Sequence, residues 1–148
     1  VQNIFESRYG FKGVVGEEPE FIAIKESSWD ETLDKLRDLL NRLLGTEQFS
    51  AKQLSVLVPH SRDIDLVKGY AFDDKSSIES KKINVSSVSK YKGLENDIVI
   101  MVIPSWEALN AEYILQPLSL MYVGFSRAKT KLYVIGDKKI QKAINWNI

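Results

Sequence analysis

The sequence predicts an α/β domain in which a mostly parallel sheet carries helices on both faces. Two observations support this. Short apolar runs of strand-like composition alternate along the chain with stretches whose leucines recur every three or four residues, the pattern of successive βα units. One run, residues 97–103, is apolar almost throughout, as a strand covered on both faces has to be. With 148 residues, 44% of them hydrophobic and 27% charged, the chain can bury one sizeable core without staples. A single domain over 1–148 is expected, with 1–19 as an irregular lead-in.

Each element has its own local signal. Residues 20–25 form a short apolar strand after the turn-prone Gly16-Glu17-Glu18-Pro19. Ser28 and Glu31 have the spacing of a capping box, in which the hydroxyl takes a first-turn N–H and the Glu reaches back. Leu33, Leu36, Leu40 and Leu43 then mark one apolar helix face, and Gly45 is the expected left-handed stop. Residues 54–58 are a compact strand closed by Pro59, residues 61–67 a short helix, and residues 70–80 a polar loop. A third strand over 83–88 leads into the basic turn Lys90-Tyr91-Lys92-Gly93, and the apolar run over 97–103 is expected at the sheet centre. After Pro104 and an irregular stretch, a helix over 118–129, a last strand over 131–136 and a helix over 137–145 complete the chain. In such a sheet ligands bind beyond the carboxyl ends of the strands, which points to the loops after 88, 103 and 136.

Composition narrows the chemistry. The chain has no Cys, so disulfides and thiol chemistry are excluded; its single histidine, His60, follows a strand and a proline and reads as an ordinary strand-end residue, and no G-x-S-x-G elbow presents a serine to it. No apolar stretch approaches the roughly 20 residues that span a bilayer, and the amino end lacks the build of a secretory signal. A cytoplasmic protein with no membrane partner is expected. The first residue is Val, which suggests a piece of a longer polypeptide or a processed terminus. Twenty basic residues balance 20 acidic ones, but residues 1–80 hold 10 basic and 15 acidic side chains while 81–148 hold 10 and 5. The second half could therefore offer a basic face to phosphates.

Neither G-x-x-x-x-G-K-[ST] nor G-x-G-x-x-G occurs, so the chain has no phosphate-cradling loop of its own. Two segments remain. Lys90-Tyr91-Lys92-Gly93-Leu94-Glu95-Asn96-Asp97 combines cations, a glycine and a carboxylate before an apolar strand; it is either an anion and sugar contact or a plain polar turn. Met121-Tyr122-Val123-Gly124-Phe125-Ser126-Arg127-Ala128-Lys129 presents an arginine at the end of an apolar helix. That guanidinium either meets phosphate oxygens or pairs with the helix end, Glu95 or Asp97.

Together and in this order, the two segments resemble motifs V (K-G-L-E before an apolar strand) and VI (Y-V-[AG]-x-[ST]-R-A) of UvrD/Rep-like superfamily 1 helicases. The resemblance covers roughly residues 83–136 and implies a three-layer RecA-like domain that lacks the P-loop, the carboxyl-terminal half of an ATP-dependent DNA helicase or translocase. It implies ATP with Mg2+ held mainly by an N-terminal RecA-like domain of the same polypeptide, the isolated chain being inactive. Arg127 matches the arginine finger, Glu95 the ribose contact, and Gly93 with Lys92 the segment against the γ-phosphate. Ser87, Ser89 and Lys90 match positions that meet single-stranded DNA, with RNA as the other strand type. The sequence departs from the pattern where Ser89 replaces a histidine and Asn96 an aromatic residue; Tyr91 is the nearest substitute anchor. Ser7-Arg8-Tyr9 has the wrong order for the motif IV arginine, and the interval from Val67 to Ile83 is too short for the large accessory insertion. The alternative is a non-catalytic α/β module that binds a ligand or protein and keeps only the scaffold.

Overall fold

The computed structural model of the chain describes residues 19–25, 28–71, 82–88, 95–103 and 126–143. Five strands form one sheet: β1 (Glu20–Ala23), β2 (Leu54–Val58), β3 (Asn84–Ser87), β4 (Asn96–Ile103) and β5 (Ala128–Gly136). Their order is β1-β5-β4-β2-β3, and every pairing is parallel. β4 is the central strand, as its unbroken apolar composition requires.

Between β1 and β2 lies helix α1 (Trp29–Asn41). The Ser28 hydroxyl accepts the Glu31 N–H at 3.2 Å, which satisfies one of the donors that a helix start leaves open. Glu31 reaches back beyond Ser28, its two carboxylate oxygens accepting the Lys25 N–H at 3.0 and 2.9 Å. The expected stop at Gly45 takes a different form. Residues Arg42–Thr46 widen into a π turn in which the Glu47 N–H reaches the Arg42 carbonyl at 2.9 Å, and the left-handed residue is Gln48, with φ 58°. The wider turn keeps Leu43 wholly buried, and the chain reverses three residues later than the glycine suggests.

Leu33, Leu36, Leu39, Leu40 and Leu43 are all at most 3% exposed and pack with Val56, Ile98, Ile100 and Tyr133 of the sheet. Helix α2 (Asp63–Ala71) adds Val67 to the same face. Strand residues of the opposite parity, Leu57, Val99, Met101, Leu132 and Val134, are equally buried, so both sheet faces are covered. Helix α3 (Lys138–Ala143) lies on that second face: a Cβ built on Gly136 would stand 3.4 Å from Ile140 Cβ and 3.0 Å from the Ile103 carbonyl oxygen. Only glycine lets β4, β5 and α3 approach so closely.

A charged seam joins α1 to the sheet where β1 and β5 begin. Lys131 pairs with Glu20 at 3.3 Å and lies 4.8 Å from the Tyr133 ring centre. Arg42 meets Glu47 at 3.2 Å and lies over the other part of the same ring, 5.7 Å from its centre. Burial works against the Lys131 charge, but Tyr133 and Glu20 outweigh it and raise its pKa.

Several expectations shift at their ends. The short helix starts at Asp63 rather than Ser61. The helix expected over 118–129 has ended by Arg127: Ser126 and Arg127 are helical, and Ala128 already belongs to β5. Thr130 is β-branched, and the pairing of this stretch with β4, Ala128 to Asn96 and Lys131 to Ile98, overrides the helical spacing read from Leu118 to Phe125. Residues 118–125, 72–80 and the lead-in over 1–18 lie outside the described residues.

Two measurements check this packing. Leu36→Ala, at a wholly buried position, should cost about 2–5 kcal/mol in denaturant unfolding, whereas Leu66→Ala should stay within about 0.5 kcal/mol; Leu66 is 42% exposed. A lysine whose pKa is raised by folding stabilises below its unfolded pKa, and that stability is lost as pH climbs through the folded one. Lys131→Met should therefore lose less Tm than the parent chain above about pH 10, and equal alkaline slopes would contradict the role given to the Glu20–Lys131 pair.

Candidate functional site

Parallel strands all begin at one edge of the sheet, so the residue just before each strand is delivered to that edge. Asn96 opens β4 and Ala128 opens β5, and the two are paired. Glu95 and Arg127 are the residues immediately before them, and the fold brings these two sequence-predicted residues together at neighbouring strand starts. They stand at the amino edge, not at the carboxyl edge to which strand order alone points. The difference arises because both belong to segments that lead into strands rather than out of them.

The register between β4 and β5 shifts just beyond this point. Asn96 pairs with Ala128 but Ile98 with Lys131, three residues of β5 against two of β4. Such a bulge bends the strand and re-aims its side chains, and it falls on the stretch that carries Lys129. Lys129 turns to Glu95, Nζ to Oε2 3.9 Å, with both side chains more than half exposed. Lys131 turns the other way, to Glu20. Of the three cations spaced along the start of β5, two have carboxylates. Arg127 differs: among the described residues its buried Nε has no hydrogen-bond partner. Asp97, a partner considered for it, accepts instead from Gln53 Nε2 at 2.9 Å. A buried donor left unmade costs about 1–3 kcal/mol, and an arriving anion oxygen would satisfy it.

Ser87 stands elsewhere. It closes β3 beside Val58, one residue beyond Leu57, whose partner in β4 is Met101. That places it level with Val102, about 20 Å of strand from the Glu95 end. Its hydroxyl accepts from Ser61 Oγ at 3.5 Å, and the residue is 1% exposed; the exposed residue of this pair is Ser61. Ser89, Lys90, Lys92 and Gly93 lie outside the described residues. His60 follows β2 at the same carboxyl edge as Ser87.

Sequence reasoning missed a polar clasp behind Glu95. The Asn96 amide nitrogen donates to the Lys52 carbonyl at 3.0 Å and to Ser55 Oγ at 2.9 Å, while its oxygen accepts the Asp97 N–H at 2.9 Å. Gln53, which holds Asp97, is itself fixed by accepting the Ser50 N–H at 2.9 Å. The spacing Ser50-x-x-Gln53 is a capping-box pattern and could have signalled the short turn Ala51–Gln53. Nothing local could have signalled its meeting with Asn96 and Asp97, more than 40 residues away.

The geometry sets a buried guanidinium donor and a half-exposed carboxylate at neighbouring strand starts. It offers little to a metal ion: among the described residues no group of three acidic or histidine side chains converges. Among the same residues no helix is long and apolar enough to cross a membrane.

Comparison with known proteins places the fold. The C-terminal domain of a possible DNA helicase from Lactobacillus plantarum WCFS1 superposes with a TM-score of 0.59 at 16% identity, over 84% of this chain and 78% of that one. A DEAD box protein from the hyperthermophile Methanococcus jannaschii gives 0.53 at 14% identity, over 88% of this chain and 40% of that one. The chain therefore spans well under half of the DEAD box protein. These likenesses establish a RecA-like α/β fold of the kind found in helicase C-terminal domains. No protein with a curated function matches the chain. The family model described as an AAA domain matches residues 19–139, from just before β1 into the start of α3, and the chain belongs to that family.

Proposed function

We propose that this domain is the closing half of an ATP-dependent nucleic-acid motor, the C-terminal RecA-like domain of a helicase or translocase of the UvrD/Rep-like kind. The carrying observation is the paired start of β4 and β5, which puts Glu95 beside Arg127 while the Arg127 Nε is a buried donor without a partner among the described residues. The fold shared with a possible DNA helicase's C-terminal domain, and the lack of a P-loop in the sequence, fit a domain that completes a site instead of holding one alone.

In this reading ATP and Mg2+ are gripped by an N-terminal RecA-like domain of the same polypeptide, and the amino edge of this domain closes on the nucleotide. Arg127 donates to γ-phosphate oxygens as negative charge builds on them, a contribution of roughly 10³–10⁵ in rate for arginine fingers. Glu95 accepts from the ribose hydroxyls, and Gly93 with Lys92 backs the phosphates. Single-stranded DNA, or RNA, runs over the carboxyl edge, meeting Ser89 and Lys90 and the exposed Ser61, while Ser87, expected as a contact, is buried behind Ser61 and supports the edge instead. Nucleotide and strand thus meet opposite edges of one rigid sheet, and closure at one edge moves the other.

The test is nucleic-acid-stimulated ATP hydrolysis by the complete polypeptide. Arg127→Ala should lower kcat by about 10³-fold or more while nucleotide affinity changes by less than about tenfold. Arg127→Lys should recover little, since the ammonium lacks the fork. Normal turnover in Arg127→Ala would contradict the assignment, and absence of any ATP hydrolysis in the parent would favour the non-catalytic module.

A further inference from the structure

We propose that Asn96 is the positioning residue that aims Glu95 at the sugar of the bound nucleotide. The inference rests on the motor reading above and adds to it a residue at which this sequence departs from the family it resembles. The Glu95 side chain is 53% exposed, and among the described residues its one ion pair is the 3.9 Å contact with Lys129. A pair so open to solvent holds a carboxylate weakly. What fixes its reach is the backbone from which it springs, and that backbone is set by the next residue.

Asn96 uses its whole amide for this. Both hydrogens of Nδ2 have acceptors, the Lys52 carbonyl and the Ser55 hydroxyl, and Oδ1 receives the Asp97 N–H. Ser55 is 1% exposed, so that hydrogen bond is sheltered from water and correspondingly firm. Asp97 adds a second tether through Gln53. The start of β4 is thereby bolted to β2, on the side away from β5. Arg127 takes its position from β5, and the residue after Glu95 is tethered on both sides, by its pairing with Ala128 of β5 and by its side chain on the β2 side. A carboxylate held within a fraction of an ångström can read a pair of vicinal hydroxyls, whereas a loosely held one cannot.

The experiment compares ATP with 2′,3′-dideoxy-ATP as substrates for the complete polypeptide, reading the ratio of their KM values and both kcat values. The parent should favour ATP by about tenfold or more, and Glu95→Ala should abolish the preference. Asn96→Ala, and Asn96→Asp which keeps the shape but loses both donors, should lower the ratio to under about threefold with kcat for ATP within about threefold. Adding Asn96→Ala to Glu95→Ala should change nothing further, as coupled residues require. An intact ratio in the Asn96 variants, with the ratio lost in Glu95→Ala, overturns the proposal and leaves the motor reading standing. An intact ratio in Glu95→Ala removes the sugar contact itself and the proposal with it. If both Asn96 variants melt below the assay temperature, Gln53→Ala, which frees only Asp97, carries the test: at least about a twofold drop in the ratio supports the proposal, and no drop overturns it.

Discussion

The candidate site depends on one strand pairing. β4 and β5 run parallel at the middle of the sheet with Asn96 level with Ala128, so two segments far apart in sequence must arrive at the same edge side by side. No contact between Glu95 and Arg127 is needed to bring this about. It follows from parallel topology, which is enforced by two buried faces: Ile98 and Ile100 beneath α1, Val99 and Met101 on the other side, all at most 1% exposed. Slipping this register by one residue would turn every one of those side chains to the wrong face. The core therefore guarantees the geometry of the edge.

Charge then sorts the side chains at that edge. β5 begins with cations on a short stretch, flanked by glutamates at the starts of the strands on either side. Lys129 and Lys131 take one glutamate each, and the Tyr133 ring helps to hold Lys131 in place. Arg127, the first of the cations, keeps a buried donor in reserve. In the proposed motor that donor is the group left to meet a ligand held by another domain.

Much of this was legible in the sequence, and the reasons differ by element. The strands over 54–58 and 97–103 announced themselves because a sheet covered on both faces demands uninterrupted apolar residues, and the leucine spacing of α1 reported its one buried face. Arg127 and Glu95 were singled out through the resemblance of their segments, not through composition, and the fold sets them at neighbouring strand starts. The end of α1 was not, because a π turn depends on how Leu43 seats in the core rather than on where a glycine falls. The 118–129 helix was overextended because strand pairing with β4 begins at Ala128, and pairing partners cannot be read locally. Asn96 read as a mere departure from a pattern, since its meaning lies in contacts with Lys52 and Ser55 that only the folded sheet creates. Strand order directed attention to the carboxyl ends, while Glu95 and Arg127 sit on the inbound side of their strands.

The most direct measurement of the central claim is a crystal structure of the complete polypeptide with a transition-state mimic of ATP bound. The account predicts the amino edge of this sheet against the nucleotide, with the Arg127 guanidinium about 3 Å from the γ-phosphate position and Glu95 on the sugar. A nucleotide lying over the carboxyl edge near Ser87, or an Arg127 turned away from it, would contradict the account.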